Sequence, residues 1–136
     1  MARPLNTMRK RADFLAANRG LRTAAPGFVL LAKANEGVGL RFGVTVTKKI
    51  GNAVVRNRMK RRFRELARAI LSEAGKDDHD YVMIGREGGI ERDFAVMREE
   101  LEGAIARLNA GKGDRGGRRG RSRRRSPERQ PSNVAA

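Results

Sequence analysis

The residues with the most chemical potential lie between positions 41 and 68. Arg41, Lys48, Lys49, Arg56, Arg58, Lys60, Arg61, Arg62, Arg64 and Arg68 fall there against a single acid, Glu65. Arginine offers a planar fork of donors that fits two phosphate oxygens, and lysine a compact point charge. Such a set captures polyanions and holds no acid–base pair for bond cleavage. The chain has one histidine, His79, and no cysteine. Disulfides, thiolate metal sites and zinc constellations are thereby excluded. His79 stands among Asp77, Asp78 and Asp80. Those acids carry oxygens of the kind Mg²⁺ takes, but the better reading is a solvated turn, and no metal-ligand set is assigned. The scarcity of acid clusters and paired histidines argues against a nuclease that cuts with its own residues.

The net charge is +16 over 136 residues. The excess sits in two stretches, 41–68 and 111–136, and the remainder is balanced. Nucleic acid is the expected partner, ahead of an anionic membrane surface. No apolar run approaches the roughly 20 residues that a membrane span needs, and the first residues lack the apolar core of a signal peptide. The expectation is a soluble cytoplasmic protein with no membrane partner and no small-molecule substrate.

Simple elements can position the basic stretch. Residues 8–19 read as a helix ending before Gly20, residues 21–24 as a short extended piece, and 28–32 as an apolar strand followed by a hairpin turn at 35–39. Residues 40–47 alternate, with Leu40, Phe42, Val44 and Val46 on one side and Arg41, Gly43, Thr45 and Thr47 on the other. Gly51-Asn52 supplies a break and an N-cap, and a helix over 53–74 is stopped by Gly75. Residues 81–84 form another strand, and Asp93 caps a last helix bearing Phe94, Met97, Leu101, Ile105 and Leu108 on one face. This order predicts a two-layer α+β sandwich over residues 1–110, enough for one modest core. The Gly-, Arg- and Ser-rich residues 111–136 have almost nothing to bury. They read as a disordered basic tail suited to nonspecific RNA contact.

On the helix 53–74, Val55, Met59, Phe63, Leu66 and Ile70 make a narrow apolar stripe, and cations fill most of the remaining arc. Arg56, Lys60, Arg64 and Arg68 repeat at i,i+4, where like charges repel by about 0.2–0.5 kcal/mol per pair. Arg56 and Arg58 also sit where the helix dipole disfavours cations. A solvated helix face would mix signs, so this one is read as a phosphate-binding surface. Asn57, within the arc, suits a base edge or a 2′-OH; taken alone, an ordinary surface amide is the better reading. A ribosomal protein and an RNA chaperone both fit these features.

The run Arg41-Phe-Gly-Val-Thr-Val-Thr-Lys48-Lys49-Ile-Gly51-Asn52-Ala53-Val54-Val55-Arg56-Asn57-Arg58-Met59-Lys60-Arg61-Arg62-Phe63-Arg64-Glu65 closely resembles the signature of the bacterial ribonuclease P protein component. A weaker likeness extends over about residues 3–109 and includes Asp13-Phe14 and Asp80-Tyr81-Val82. The resemblance implies an αβββαβα order, related to a ribosomal-protein domain, with a left-handed strand–helix–strand crossover; pattern alone predicts the common right-handed one. It implies an accessory subunit of an RNA-based endoribonuclease that removes the 5′ leader of precursor tRNA. The catalytic centre, and most of the Mg²⁺, then belongs to the RNA. Carried over by position, Lys48, Lys49, Asn52, Arg56, Asn57, Arg58, Lys60, Arg61 and Arg64 face the catalytic RNA and nearby leader. Phe14 and Arg41 fall at a central cleft for single-stranded leader, where Phe14 suits base stacking or an ordinary core position. Asn18 and Leu31 depart from the aromatic residues found at those places in many members, so stacking is expected to be weaker or differently shaped.

Overall fold

The computed structural model describes residues 5–8 and 10–115. Its longest element is the basic helix, Ala53–Ala74, here α2. Asn52 opens it as expected, its side-chain oxygen accepting from the Val55 N–H at 3.0 Å and satisfying one of the donors a helix start leaves unpaired. Gly75 ends it in an extended conformation, its N–H bonded to Leu71 O. Met59, Phe63, Leu66, Ala67, Ile70 and Leu71 are buried along one stripe.

The other elements follow in chain order. They are β1 (Asn6–Thr7), α1 (Arg11–Ala17), β2 (Leu21–Ala24), β3 (Phe28–Ala34), β4 (Arg41–Thr45), then after α2 β5 (His79–Gly85), α3 (Phe94–Asn109) and β6 (Asp114–Arg115). The sheet order is β1-β4-β5-β3-β2-β6. Its four central strands and three helices are those the pattern predicts. The first helix starts at Arg11 rather than residue 8, because the Met8 N–H is spent on Phe42 O at 2.8 Å, beside β4.

The two edge strands are absent from the sequence reading. β1 runs parallel to β4, and β6 antiparallel to β2 with Arg22 opposite Asp114. Through β6 regular structure continues past residue 110 to Arg115. Gly113 allows this at φ 142°, where an added Cβ would stand 2.8 Å from both Arg22 O and a Leu108 methyl. The remainder of the expected tail, residues 116–136, lies outside the described residues.

Side chains alternate across the sheet. Phe28, Leu30, Ala32, Phe42, Tyr81 and Met83 join the buried faces of α2 and α3 in the main core, where the Phe28 and Phe63 rings meet edge to face at 6.2 Å. Leu31 and Val82 point the other way and pack with Met8, Ala17 and Phe14 under α1. The α2–α3 layer and the sheet form the expected sandwich, and α1 lies alone on the opposite face.

The backbone also fixes the hand of the β4–α2–β5 crossover. Leu40 and Phe42 carbonyls accept from Asn6 and Met8 N–H groups, so the polar edge of Phe42 points to β1 while its side chain points to α2. On an upward strand seen from its side-chain face, an L-residue directs N–H and C=O to the right. β1 is therefore right of β4, and the parallel partner β5 is left of it. A connection passing in front of the sheet and moving left is left-handed, against the rule that about 98% of such units obey.

Candidate nucleic-acid interface

Two surfaces lie on opposite sides of the sheet. The first is the outer arc of α2 with the turn before it. Lys48, Lys49, Asn52, Asn57, Arg58, Arg61 and Arg64 are exposed, and Arg56 and Lys60 half-buried. The turn is closed by the Ile50 N–H donating to Thr47 O at 3.1 Å, which carries both lysines to the helix start. Val54, Asn57, Arg58, Lys60, Arg61 and Arg64 line one shallow depression. Among the described residues no carboxylate pairs with Arg58, Lys60, Arg61 or Arg64. Asn52 spends its side-chain oxygen on the helix cap and keeps its amide donors. Arg56 uses only Nε internally, donating to Gly51 O at 3.2 Å.

Arg62, placed by the helical wheel in the cationic arc, is used differently. Its Nη2 donates to Arg92 O, and its guanidinium carbon lies 5.8 Å from the centre of the Phe94 ring. It stitches α2 to the start of α3, where Arg92 forms a fork with Glu100 at 2.8 and 2.6 Å. Hydrogen bonding to Glu100 holds the Arg92 pKa above its ordinary value.

The second surface is a cleft of about 390 Å³ between α1 and the sheet, lined by Arg11, Phe14, Leu15, Asn18, Leu31, Thr45, Val82 and Ile84. Phe14 serves the core and the cleft together, since it packs on Leu31 and Val82 while lining the cavity. Gly43 admits the ring; a Cβ there would come within 2.6 Å of Phe14. Asn18 and Leu31 stand at the cleft, where the resemblance implied, while Arg11, Leu15 and Thr45 line it without having been singled out. The signal was present for α1, where positions 11, 14, 15 and 18 share one helix face.

Arg41, expected at the cleft, is not among its lining residues. Its Nε and Nη2 grip Asp80 at 2.8 and 2.7 Å, and Nη1 reaches Asp13 at 3.1 Å. Asp80, 6% exposed, also accepts from Asn35 Nδ2 at 2.7 Å. The hydrogen bond to Asp80 is the first cause of a raised Arg41 pKa, which keeps the fork charged. Arg41 is thus committed to two protein carboxylates, and through Asp13 it fastens α1 to β4 and β5. The other acids form the expected turn, with Asp78 accepting from the Gly39 N–H at 2.9 Å and His79 Nδ1 3.0 Å from Asp77 O. Among the described residues no three His, Asp or Glu gather as a metal site, and no helix is long and apolar enough to cross a membrane.

The Ribonuclease P family profile matches residues 3–109. The ribonuclease P protein component of Erythrobacter litoralis is 70% identical over 107 residues, which cover 79% of this chain and 88% of that protein. That of Ruegeria pomeroyi is 43% identical, covering 79% and 90%. Among solved structures, the RNase P protein from Thermotoga maritima superposes with a TM-score of 0.66 at 31% identity, covering 75% of this chain and 96% of that one. A Staphylococcus aureus RNase P protein mutant with defective mRNA degradation activity gives the same TM-score at 28% identity, covering 76% and 87%. The ribosomal-protein and chaperone readings therefore give way. The chain belongs to the ribonuclease P protein component family, the RNA-binding accessory subunit of an RNA-based endoribonuclease that processes tRNA 5′ ends.

Proposed function

We propose that α2 and the turn at residues 47–52 bind the catalytic RNA, while the cleft under α1 receives the single-stranded 5′ leader of precursor tRNA. The observation that carries this reading is the contrast between the sheet's two sides. One presents a row of arginines that no carboxylate of the described residues pairs with, suited to a folded phosphate backbone. The other presents a narrow channel with an aromatic wall, an apolar floor and a polar rim, suited to unpaired bases. Bringing two polyanions together costs electrostatic work that free cations must otherwise screen. A protein carrying its own cations reduces that demand, and Mg²⁺ held by the RNA then serves the cleavage. The cytoplasm, where a bacterial transcript is trimmed, is the fitting compartment. Residues 5–115 form the binding body, and the basic residues beyond add sequence-independent affinity.

Reconstitution with a bacterial catalytic RNA at limiting Mg²⁺ tests the proposal. Precursor cleavage is expected to outpace that of the RNA alone, and precursor is expected to bind more tightly than mature tRNA. Equal cleavage rates would remove the subunit role, and equal affinities the leader cleft.

A further inference from the structure

Val54 is the most exposed large hydrophobic residue among those described, at 76%. A lone exposed valine is ordinary on a protein surface; the company of this one is not. It stands in the first turn of α2, and Asn57, Arg58 and Arg61 follow it at i+3, i+4 and i+7 on one helix face. With Lys60 and Arg64 these residues line the shallow depression, a space of about 630 Å³. Four of its lining residues are cations and one is an amide; Val54 alone is apolar. The fold has little use for the valine methyls. A β-branched residue is a mediocre helix former, and at this exposure the side chain buries little against the protein. A surface made for phosphate alone gains nothing from them either.

We infer that the depression seats a nucleotide of the catalytic RNA that stands out of its helical stack, with Val54 against the base or ribose face and Arg58 and Arg61 on the phosphates beside it. The inference rests on α2 binding that RNA. In a paired RNA helix the base faces are hidden against one another, and sugars, phosphates and base edges are what a protein meets. An unstacked nucleotide brings two complementary halves together. Its flat apolar face loses water on the valine, and its anionic links match the guanidinium forks. Asn57, next along the same face, has a donor and an acceptor for the exposed edge. The two halves respond differently to salt. Phosphate contacts release counterions and weaken as salt rises, whereas covering methyl groups releases none.

The test titrates a bacterial ribonuclease P RNA with the full chain across a salt series. Val54→Thr keeps the shape and puts a hydroxyl in place of a methyl; Val54→Ala removes both methyls. Each is expected to weaken binding about four- to tenfold, the scale of one or two methyl groups left in water. The slope of log affinity against log salt is expected to stay at the wild-type value. Val54→Ile is expected to bind at least as well as wild type, and Val54→Ala to melt no lower than wild type. Chemical probing at saturating protein is expected to show an unpaired nucleotide shielded by the wild type and by Val54→Ile but reactive with Val54→Thr. If the Val54 variants all bind as wild type does while Arg58→Ala weakens binding, this inference falls and the phosphate surface stands. If Arg58→Ala binds unchanged as well, both fall. A reduced salt slope in Val54→Thr, or a loss of affinity with no nucleotide changing its reactivity, overturns the seat.

Discussion

Arg41 and Arg58 lie on the same stretch of sequence and are opposites in the folded chain. Arg41 has three donors on two carboxylates, and its side chain is 17% exposed. Arg58 stands exposed on α2 with no carboxylate at hand among the described residues. The difference teaches that a count of basic residues locates an RNA-binding segment, while the protein's own acids decide which members of it remain available. Within this segment Arg41 builds the scaffold, Arg62 joins two helices, and Arg58, Arg61 and Arg64 are left exposed without a carboxylate partner among the described residues.

The largest effect is expected from removing the scaffold member. Arg41→Ala leaves Asp80 buried without its cation and should lower unfolding free energy by about 3 kcal/mol, read by denaturant titration. Adding Asp80→Asn should restore part of that loss. An Arg41→Ala protein of wild-type stability but poor catalytic-RNA affinity would erase the distinction drawn here. Gly43→Ala comes next. The new methyl must displace the Phe14 ring, costing about 1–3 kcal/mol, with precursor affinity reduced more than affinity for the catalytic RNA.

Arg58→Ala should be nearly silent in stability, within about 0.5 kcal/mol. It should weaken catalytic-RNA binding and reduce the slope of log affinity against log salt by about 0.7–0.9, one phosphate's worth. A full slope would deny Arg58 its phosphate. The smallest effect on cleavage is expected from truncation after Arg115, which should lower nonspecific RNA affinity and leave processing largely intact. Truncation after Ala110 also removes the β6 pairing with Leu21 and Arg22, so it should cost some stability besides. Equal behaviour of the two truncations would show that β6 contributes nothing.

What was legible in the sequence was local. The bounds of α2 follow from the Asn52 cap, the apolar stripe along the 22-residue helix and Gly75, each of which acts on residues a few positions away. The cationic face follows from the same periodicity, and the family signature supplied the left-handed crossover that pattern alone would have reversed. What was not legible depends on distant partners. Arg41 meets Asp13 and Asp80 across 28 and 39 positions, and nothing in its neighbours distinguishes it from Arg58. The alternation that placed Arg41, Gly43 and Thr45 on a polar side was correct, but that side is roofed by α1 rather than open to water. β1 and β6, two residues each, exist only through pairing with strands elsewhere in the chain and carry no periodicity of their own.

The left-handed path from β4 to β5 has a consequence for vacancy. With the same strand order, the common hand would swing the longest helix to the other side of the sheet, over Gly43, Thr45 and Val82. That helix would then roof the ground on which a guest strand is proposed to rest. Chirality at a single connection thus separates the arginine-bearing side of this protein from the side of the cleft, and keeps the latter clear of the helix.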